Sequence, residues 1–314
     1  MQVSAVVVAY NRRELLVEAL RALGAQTVPL DSIVVIDNAS TDGSADAARA
    51  AAPEADVVIL ERNTGGAGGF AVGIERAISR HSADLVWIMD DDTIPSPGAL
   101  EELLRVREEH PARPVVLASR VVWTDGTDHP MNTPRRKPFV GRAERRAADS
   151  VGAVAVRSAS FVSSLVDTGA IRQSGLPIAE YFIWNDDFEF TARLLRAGRG
   201  VYCPGSVVTH KTRILASTDV DPGSRFYYEV RNKIWLFRHS RALSPVEKPL
   251  YIGVSIVRWA KTLLRSADRA TLLSGLRNGT RDGFARPPSS NSAFLSGLGP
   301  VSEAIARFES PRTG

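Results

Sequence analysis

Five apolar runs of strand length, at residues 3–9, 31–36, 56–60, 84–89 and 115–122, alternate with helical periodicity at 12–25, 44–52, 69–80 and 97–109. Strands and helices that alternate in this way bury their apolar faces together as a mostly parallel sheet with helices on both sides. The expected fold class is therefore α/β, a doubly wound sheet. In such a sheet ligands bind outside the carboxyl ends of the strands, so the residues that follow each run matter most. The 44% apolar and 24% charged content suits a soluble core of this size.

Four of those strand ends carry polar or glycine-rich residues. The first run ends in Ala9-Tyr10-Asn11-Arg12, and the second leads into Asp37-Asn38-Ala39-Ser40-Thr41-Asp42-Gly43. An isolated Asp at such an edge can accept a hydrogen bond from a nucleobase N–H. After the third run comes Asn63-Thr64-Gly65-Gly66-Ala67-Gly68-Gly69-Phe70, opening a helix. Its Gly66-x-Gly68-x-x-Ala71 spacing matches the dinucleotide fingerprint, but that fingerprint normally follows the first strand, and no GxxxxGK[ST] loop is present. The fourth run delivers Asp90-Asp91-Asp92. Three adjacent carboxylates repel one another unless a cation sits among them; the plainer reading is a solvated acidic turn before a helix near Ser96-Pro97.

Further along, residues 123–150 lose periodicity and turn basic, which reads as a loop, either a lid or acceptor-contacting loop or a disordered one. Trp184-Asn185-Asp186-Asp187-Phe188-Glu189-Phe190 enters a helix that stops at Gly198, and residues 200–202 and 207–210 read as two short strands. From residue 223 the chain turns helical and basic, with 15 Lys and Arg against 6 Asp and Glu. This gives an expected division into 1–222 and a helical region 223–314. The apolar run 249–257 is too short to span a bilayer, but with Arg258, Lys261, Arg265 and Arg269 it has the composition of an interfacial helix; a buried helical subdomain is the alternative. Residues 286–300 are expected to be loose, ahead of a last helix at 301–308. A single cysteine, Cys203, excludes an intrachain disulfide, and the first residues carry no secretory pattern, so a cytoplasmic location is expected.

Taken together, Val7-Val8-Ala9-Tyr10-Asn11-Arg12, Val35 to Gly43, Asn63 to Phe70, Met89 to Asp92 and Trp184 to Phe190 resemble the family 2, GT-A fold, inverting glycosyltransferases. The Gly-Gly-Ala-Gly-Gly-Phe turn and Arg225-Phe226-Tyr227-Tyr228-Glu229-Val230-Arg231-Asn232 are most similar to bacterial galactofuranosyltransferases acting on polyprenyl-diphosphate-linked glycans, and also to rhamnosyltransferases. The resemblance implies a nucleotide site at Ala9, Tyr10, Arg12, Asp37, Asn63, Asp90 and Asp91, and Mn²⁺ or Mg²⁺ on Asp90, Asp92 and His210. It implies a catalytic base at Asp187, with Asp186 and Glu189 as neighbouring rivals, and acceptor contacts at Trp184, Asp186 and Glu189. The implied partners are a nucleotide-sugar donor, UDP-galactofuranose or dTDP-rhamnose, and a lipid-linked glycan acceptor at the inner face of the membrane. No nucleic acid is expected, and a homo-oligomer is left open. An inactive homologue that only binds sugar nucleotides is the competing class.

Overall fold

The structure is a computed structural model, and it describes residues 1–212, 215 and 221–310. The chain runs β1 (Val3–Ala9), α1 (Arg13–Gly24), β2 (Ser32–Asp37), α2 (Ser44–Ala51), β3 (Asp56–Ile59), α3 (Gly65–Ser79), β4 (Leu85–Asp90), β5 (Thr93–Pro95), α4 (Ala99–Glu109) and β6 (Val116–Val122). It continues through β7 (Arg135–Arg136), α5 (Arg142–Asp149), β8 (Val154–Ser158), β9 (Ser164–Asp167), α6 (Thr168–Ser174), α7 (Asp186–Leu194) and β10 (Gly200–His210). The last part is helical: α8 (Phe226–His239), α9 (Glu247–Arg265), α10 (Arg269–Ala285), α11 (Asn291–Phe294) and α12 (Pro300–Glu309).

The strands form a mixed sheet in the order β3-β2-β1-β4-β9-β6-β10-β8-β7, with β5 paired to β10. Strands β3, β2, β1 and β4 are parallel throughout, and antiparallel β9 joins them to the parallel pair β6–β10. Alternate residues of β1 face opposite sides, as a period of two demands. Ala5 and Val7 pack with Leu16 and Leu20 of α1 and Leu100 and Leu103 of α4. Val6 and Val8 pack with Phe70 and Ile74 of α3. The doubly wound expectation holds.

Helix α3 lies close against β1 because glycine faces it. A Cβ on Gly73 would stand 2.3 Å from Val6 Cγ1, and one on Gly69 would stand 2.5 Å from Val8 Cγ1. The same helix is covered from outside by the far end of the chain, since Leu295, Leu298 and Ile305 share its core.

Three local readings change. Residues 200–202 and 207–210 are not two strands: Pro204 and Gly205 are absorbed by a bulge between Cys203 and Val207, and β10 continues through it. Residues 123–150 are not one long loop, because β7 pairs with β8 and α5 buries Ala148. An arginine-rich helix with only alanines on its inner side lacks the large apolar residues that reveal periodicity. Residues 286–300 are not loose either. Asn291 accepts from Ala179 N at 2.7 Å and donates to Pro177 O at 2.9 Å, while Leu295 and Leu298 are buried. Among the described residues no helix is long and apolar enough to cross a membrane.

The close α3–β1 contact generates a stability prediction. Gly73→Val is expected to lower unfolding stability by about 2 kcal/mol, within the range for overpacking a tight core, with recovery when combined with Val6→Ala. Urea denaturation checks this through the midpoint at unchanged slope; an unshifted midpoint would show that the helix has room to move.

Candidate active site

Strand β4 ends at the sheet edge with Asp90, level with Val8 of β1, and the chain then turns sharply into β5. Strand β5 runs antiparallel to the end of β10, pairing Thr93 directly with His210. That pairing brings a histidine from far along the sequence beside the acidic turn. His210 Nε2 lies 3.0 Å from Asp92 Oδ1, and Lys211 N donates to Asp92 O at 2.8 Å. One ligand atom from each of Asp90, Asp92 and His210 falls within 4.8 Å of the others. Two carboxylates and an imidazole at that spacing fit a divalent cation such as Mn²⁺ or Mg²⁺.

The rest of the turn is held from β1. Tyr10 N donates to Asp91 Oδ2 at 3.0 Å, and Arg12 Nη1 lies 3.3 Å from Asp91 Oδ1 and forms an ion pair with Asp92. The electrostatics follow from burial and like charge. Burial pushes Asp90 up to about 6, with repulsion from Asp92 adding to it and His210 and Arg12 opposing. Burial likewise raises Asp91 to about 7, against the Tyr10 N–H and Arg12. Burial would raise Asp92 too, but the hydrogen bond and charge of His210, with Arg12, hold it below the ordinary carboxylate range. His210 is raised despite its burial, because Asp92 and Asp90 favour the imidazolium.

Asp37 ends β2 at the same sheet edge. It is 1% exposed; its Oδ1 accepts from Ser40 N at 2.7 Å, and its buried Oδ2 has no partner among the described residues. An orphaned buried acceptor is rare and marks a place for a donor. Asn63 is nearby but its amide oxygen is used at the start of α3, accepting from Gly65 N at 2.8 Å and Asn38 Nδ2 at 3.1 Å. Ala9 is buried and Tyr10 is 46% exposed.

The second acidic group enters through a strained loop. Phe182, Trp184 and Asn185 all have positive φ, 64°, 67° and 64°, which costs roughly 1–3 kcal/mol for each such residue. Asn232 of α8 holds the loop by donating from Nδ2 to the carbonyls of Tyr181, Ile183 and Trp184 at 2.8–3.0 Å. Asn185 Nδ2 donates to Glu229 Oε2 at 2.8 Å. On the other side the backbone of Phe182 presses on Gly65, where a Cβ would be 2.1 Å from Phe182 O.

This loop sets Asp186 and Asp187 in the first turn of α7. Burial raises Asp186 to about 8, with Asp187 and then Asp90 adding repulsion. Asp187 is raised by burial and moderated by the Phe188 N–H, at 2.6 Å, and by Arg135 and Lys233. Asp90 and the Asp186–Asp187 pair are close enough for their charges to repel. Trp184 is half-buried in the same loop.

Glu189 does not join them. It is 1% exposed, paired with Arg193 at 2.8 Å and accepting from Ser240 Oγ at 2.7 Å. Its carboxylate is committed to packing α7 onto the start of the α8–α9 connection, which corrects the expectation of an acceptor contact.

Residues outside the motifs support the site. Asn132 Oδ1 meets His210 Nδ1 at 2.9 Å, and the His129 ring lies 5.0 Å from that of His210. Asn38 accepts from Thr64 N at 2.8 Å and donates to Gly65 O at 2.9 Å, tying β2 to α3. Asn232 had a signal, since it ends the Arg225–Asn232 run; Asn132 sits in the aperiodic segment and had none.

The chain resembles known proteins over most of its length. Residues 4–164 match the family model Glycosyl transferase family 2. The chain is 31% identical over 248 residues to galactofuranosyltransferase GlfT1 of Mycobacterium tuberculosis, 72% of this chain and 79% of that one. It is also 31% identical over 203 residues to galactofuranosyltransferase GlfT1 of Mycolicibacterium smegmatis, 62% of this chain and 66% of that one. The crystal structure of S. aureus TarS 1-349 superposes with a TM-score of 0.61 at 18% identity, covering 98% of this chain and 88% of that one. The fold is thus a GT-A fold, and the chain belongs to glycosyl transferase family 2.

Proposed function

We propose that this enzyme transfers galactofuranose from UDP-galactofuranose, with inversion, to a hydroxyl of a polyprenyl-diphosphate-linked glycan in cell-wall or surface polysaccharide synthesis. The observation that carries the reading is the cation-ready cluster of Asp90, Asp92 and His210 at the sheet edge, with the half-buried Asp187 near enough to raise Asp90 by repulsion. The relatives named galactofuranosyltransferase GlfT1 support this donor.

In this reading Asp37 Oδ2 accepts an N–H of the nucleobase, and the backbone at Ala9 and Tyr10, with Asn63 at the mouth of α3, borders the nucleotide. Asp90, Asp92 and His210 hold Mn²⁺ or Mg²⁺, which supplies Lewis-acid stabilisation of charge on the departing diphosphate. Arg12 stands beside the same charge as a permanent cation. Asp187 takes the proton of the acceptor hydroxyl as that oxygen attacks the anomeric carbon from the face opposite the leaving group, a contribution of about 10²–10⁴-fold. Asp186, raised to about 8 by burial and then by repulsion from Asp187, is suited to donate a hydrogen bond to the acceptor, beside Trp184.

Helix α9 supports a peripheral place at the inner membrane face. Leu250, Val254, Val257 and Leu264 are 54–70% exposed, and Lys261 and Arg265 are exposed on the same helix. Apolar residues exposed beside cations suit the boundary of an anionic bilayer. A rhamnosyltransferase using dTDP-rhamnose is the second reading of the donor, and an inactive sugar-nucleotide-binding homologue the second reading of the class.

Thermal shift with Mn²⁺ present is expected to be larger for UDP-galactofuranose than for dTDP-rhamnose or UDP-glucose, and EDTA should shrink it; the largest shift with dTDP-rhamnose would reassign the donor. Asp187→Asn should lower kcat by about 10²–10⁴-fold, the usual worth of a general base, while UDP affinity measured by calorimetry stays within a factor of two or so. Turnover at the parent rate would place the base elsewhere. The protein is expected to sediment with phosphatidylglycerol vesicles at low salt and to be released as ionic strength rises, whereas no sedimentation at low salt would rule out the α9 interface.

A further inference from the structure

The ring of Phe188, next to Asp187, is a meeting point of three elements. Arg135 of β7 stands 5.2 Å from its centroid, Lys233 Nζ of α8 stands 5.8 Å away, and Tyr251 of α9 packs against it at 5.6 Å between ring centres. Lys233 is 5% exposed and makes no hydrogen bond or ion pair among the described residues. Glu229, one turn earlier on α8, does not neutralise it at close range. Its Oε1 is taken by Arg258 and Trp259 and its Oε2 by Asn185. Burial pushes the Lys233 ammonium down to about 8, with Glu229 opposing and Arg258 and Arg135 adding repulsion.

A buried ammonium without a counterion is among the most costly groups a folded chain can hold. A second cation on the same aromatic ring adds to that cost. The pair becomes favourable when an anion enters between them, because phosphoryl oxygens supply acceptors to both heads. Glu229 and Asp187 are the carboxylates that act on Lys233, and Glu229 is already shared with Arg258, Trp259 and Asn185.

We propose that Lys233 and Arg135 form an anion subsite on the acceptor side of Asp187, which binds a phosphoryl group carried by the acceptor. The inference rests on the glycosyl-transfer reading above. The donor's diphosphate has its own partners in Arg12 and the Asp90, Asp92 and His210 cluster. Tyr251 connects the Phe188 ring to α9, whose apolar residues face outward. A lipid-linked acceptor changes from hydrocarbon to glycan at its phosphates, and the subsite lies between an apolar helix and the proton-accepting carboxylate.

The test is calorimetry on the full chain in EDTA with inorganic pyrophosphate as probe, after UDP has been raised to a concentration that a preceding titration in EDTA shows to saturate the metal-free donor side. Wild type is expected to bind one pyrophosphate, with affinity falling at least tenfold in Lys233→Met and in Arg135→Gln and largely kept in Lys233→Arg. Lys233→Met should also melt no lower than wild type, since it removes an unpaired buried charge. If it melts lower, Arg135→Gln, at an exposed strand position, decides the question. A kinetic arm separates acceptor from donor phosphates: Lys233→Met should raise KM at least tenfold for a glycan on an alkyl diphosphate and leave KM for the same glycan on a plain alkyl chain unchanged. No pyrophosphate binding in wild type, unchanged affinity in both variants, or an equal KM rise for both acceptors would overturn the subsite. Failure of the preceding UDP titration would instead count against the glycosyl-transfer reading, leaving the pyrophosphate result to stand by itself.

Discussion

Repulsion among carboxylates is the constraint on which the site depends. Asp90, Asp91 and Asp92 crowd one sheet edge, Asp186 and Asp187 add repulsion from the start of α7, and the chain supplies Arg12 and His210 as the counter-charges of the triplet. Burial then sorts the group by partner. Asp92, with two cationic neighbours, stays ionised, whereas Asp186, with another carboxylate beside it, is pushed toward the neutral form. Five similar side chains acquire different protonation behaviour from geometry alone, and chemistry that needs both a charge holder and a proton acceptor becomes possible.

Holding that arrangement requires parts of the chain that have no chemical role of their own. The β5–β10 pairing fixes His210 against Asp92, and Asn132 fixes the other face of the imidazole. The loop before α7 carries three residues at positive φ and would relax without external support. Asn232 supplies it through one amide group that donates to three carbonyls, so the helical region after residue 223 is mechanically part of the acidic site.

Much of this was legible in the sequence, and the exceptions have physical causes. The alternating runs foretold β1 to β4 and β6, most plainly β1 and β4, which are buried along almost their whole length and continuously apolar, whereas the three-residue β5 is too short to show as a run. The strand-end motifs singled out Asp37 and Asp90 to Asp92, since polar residues after an apolar run lie at the sheet edge, and Asp186 and Asp187 stood out as adjacent carboxylates at the start of a helix. Glu189 shares the first turn of α7 with Asp186 and Asp187, but its carboxylate is taken by Arg193 and Ser240, partners that the sequence does not reveal. Lys233 and Asn132 escaped notice for a different reason. A buried lysine within an aromatic, basic helix looks like a solvated charge until its neighbours in space are known.

The packing of Leu295, Leu298 and Ile305 onto α3 also governs how the molecule comes into being. During synthesis the nucleotide side of the sheet emerges first, with α3 presenting an apolar flank whose natural cover is still more than two hundred residues from the exit. Between those moments the partly made chain carries an exposed greasy surface at its first-formed half. Completion of that half therefore waits on residues translated long after it, and cover for α3 comes late in folding rather than with the helix itself.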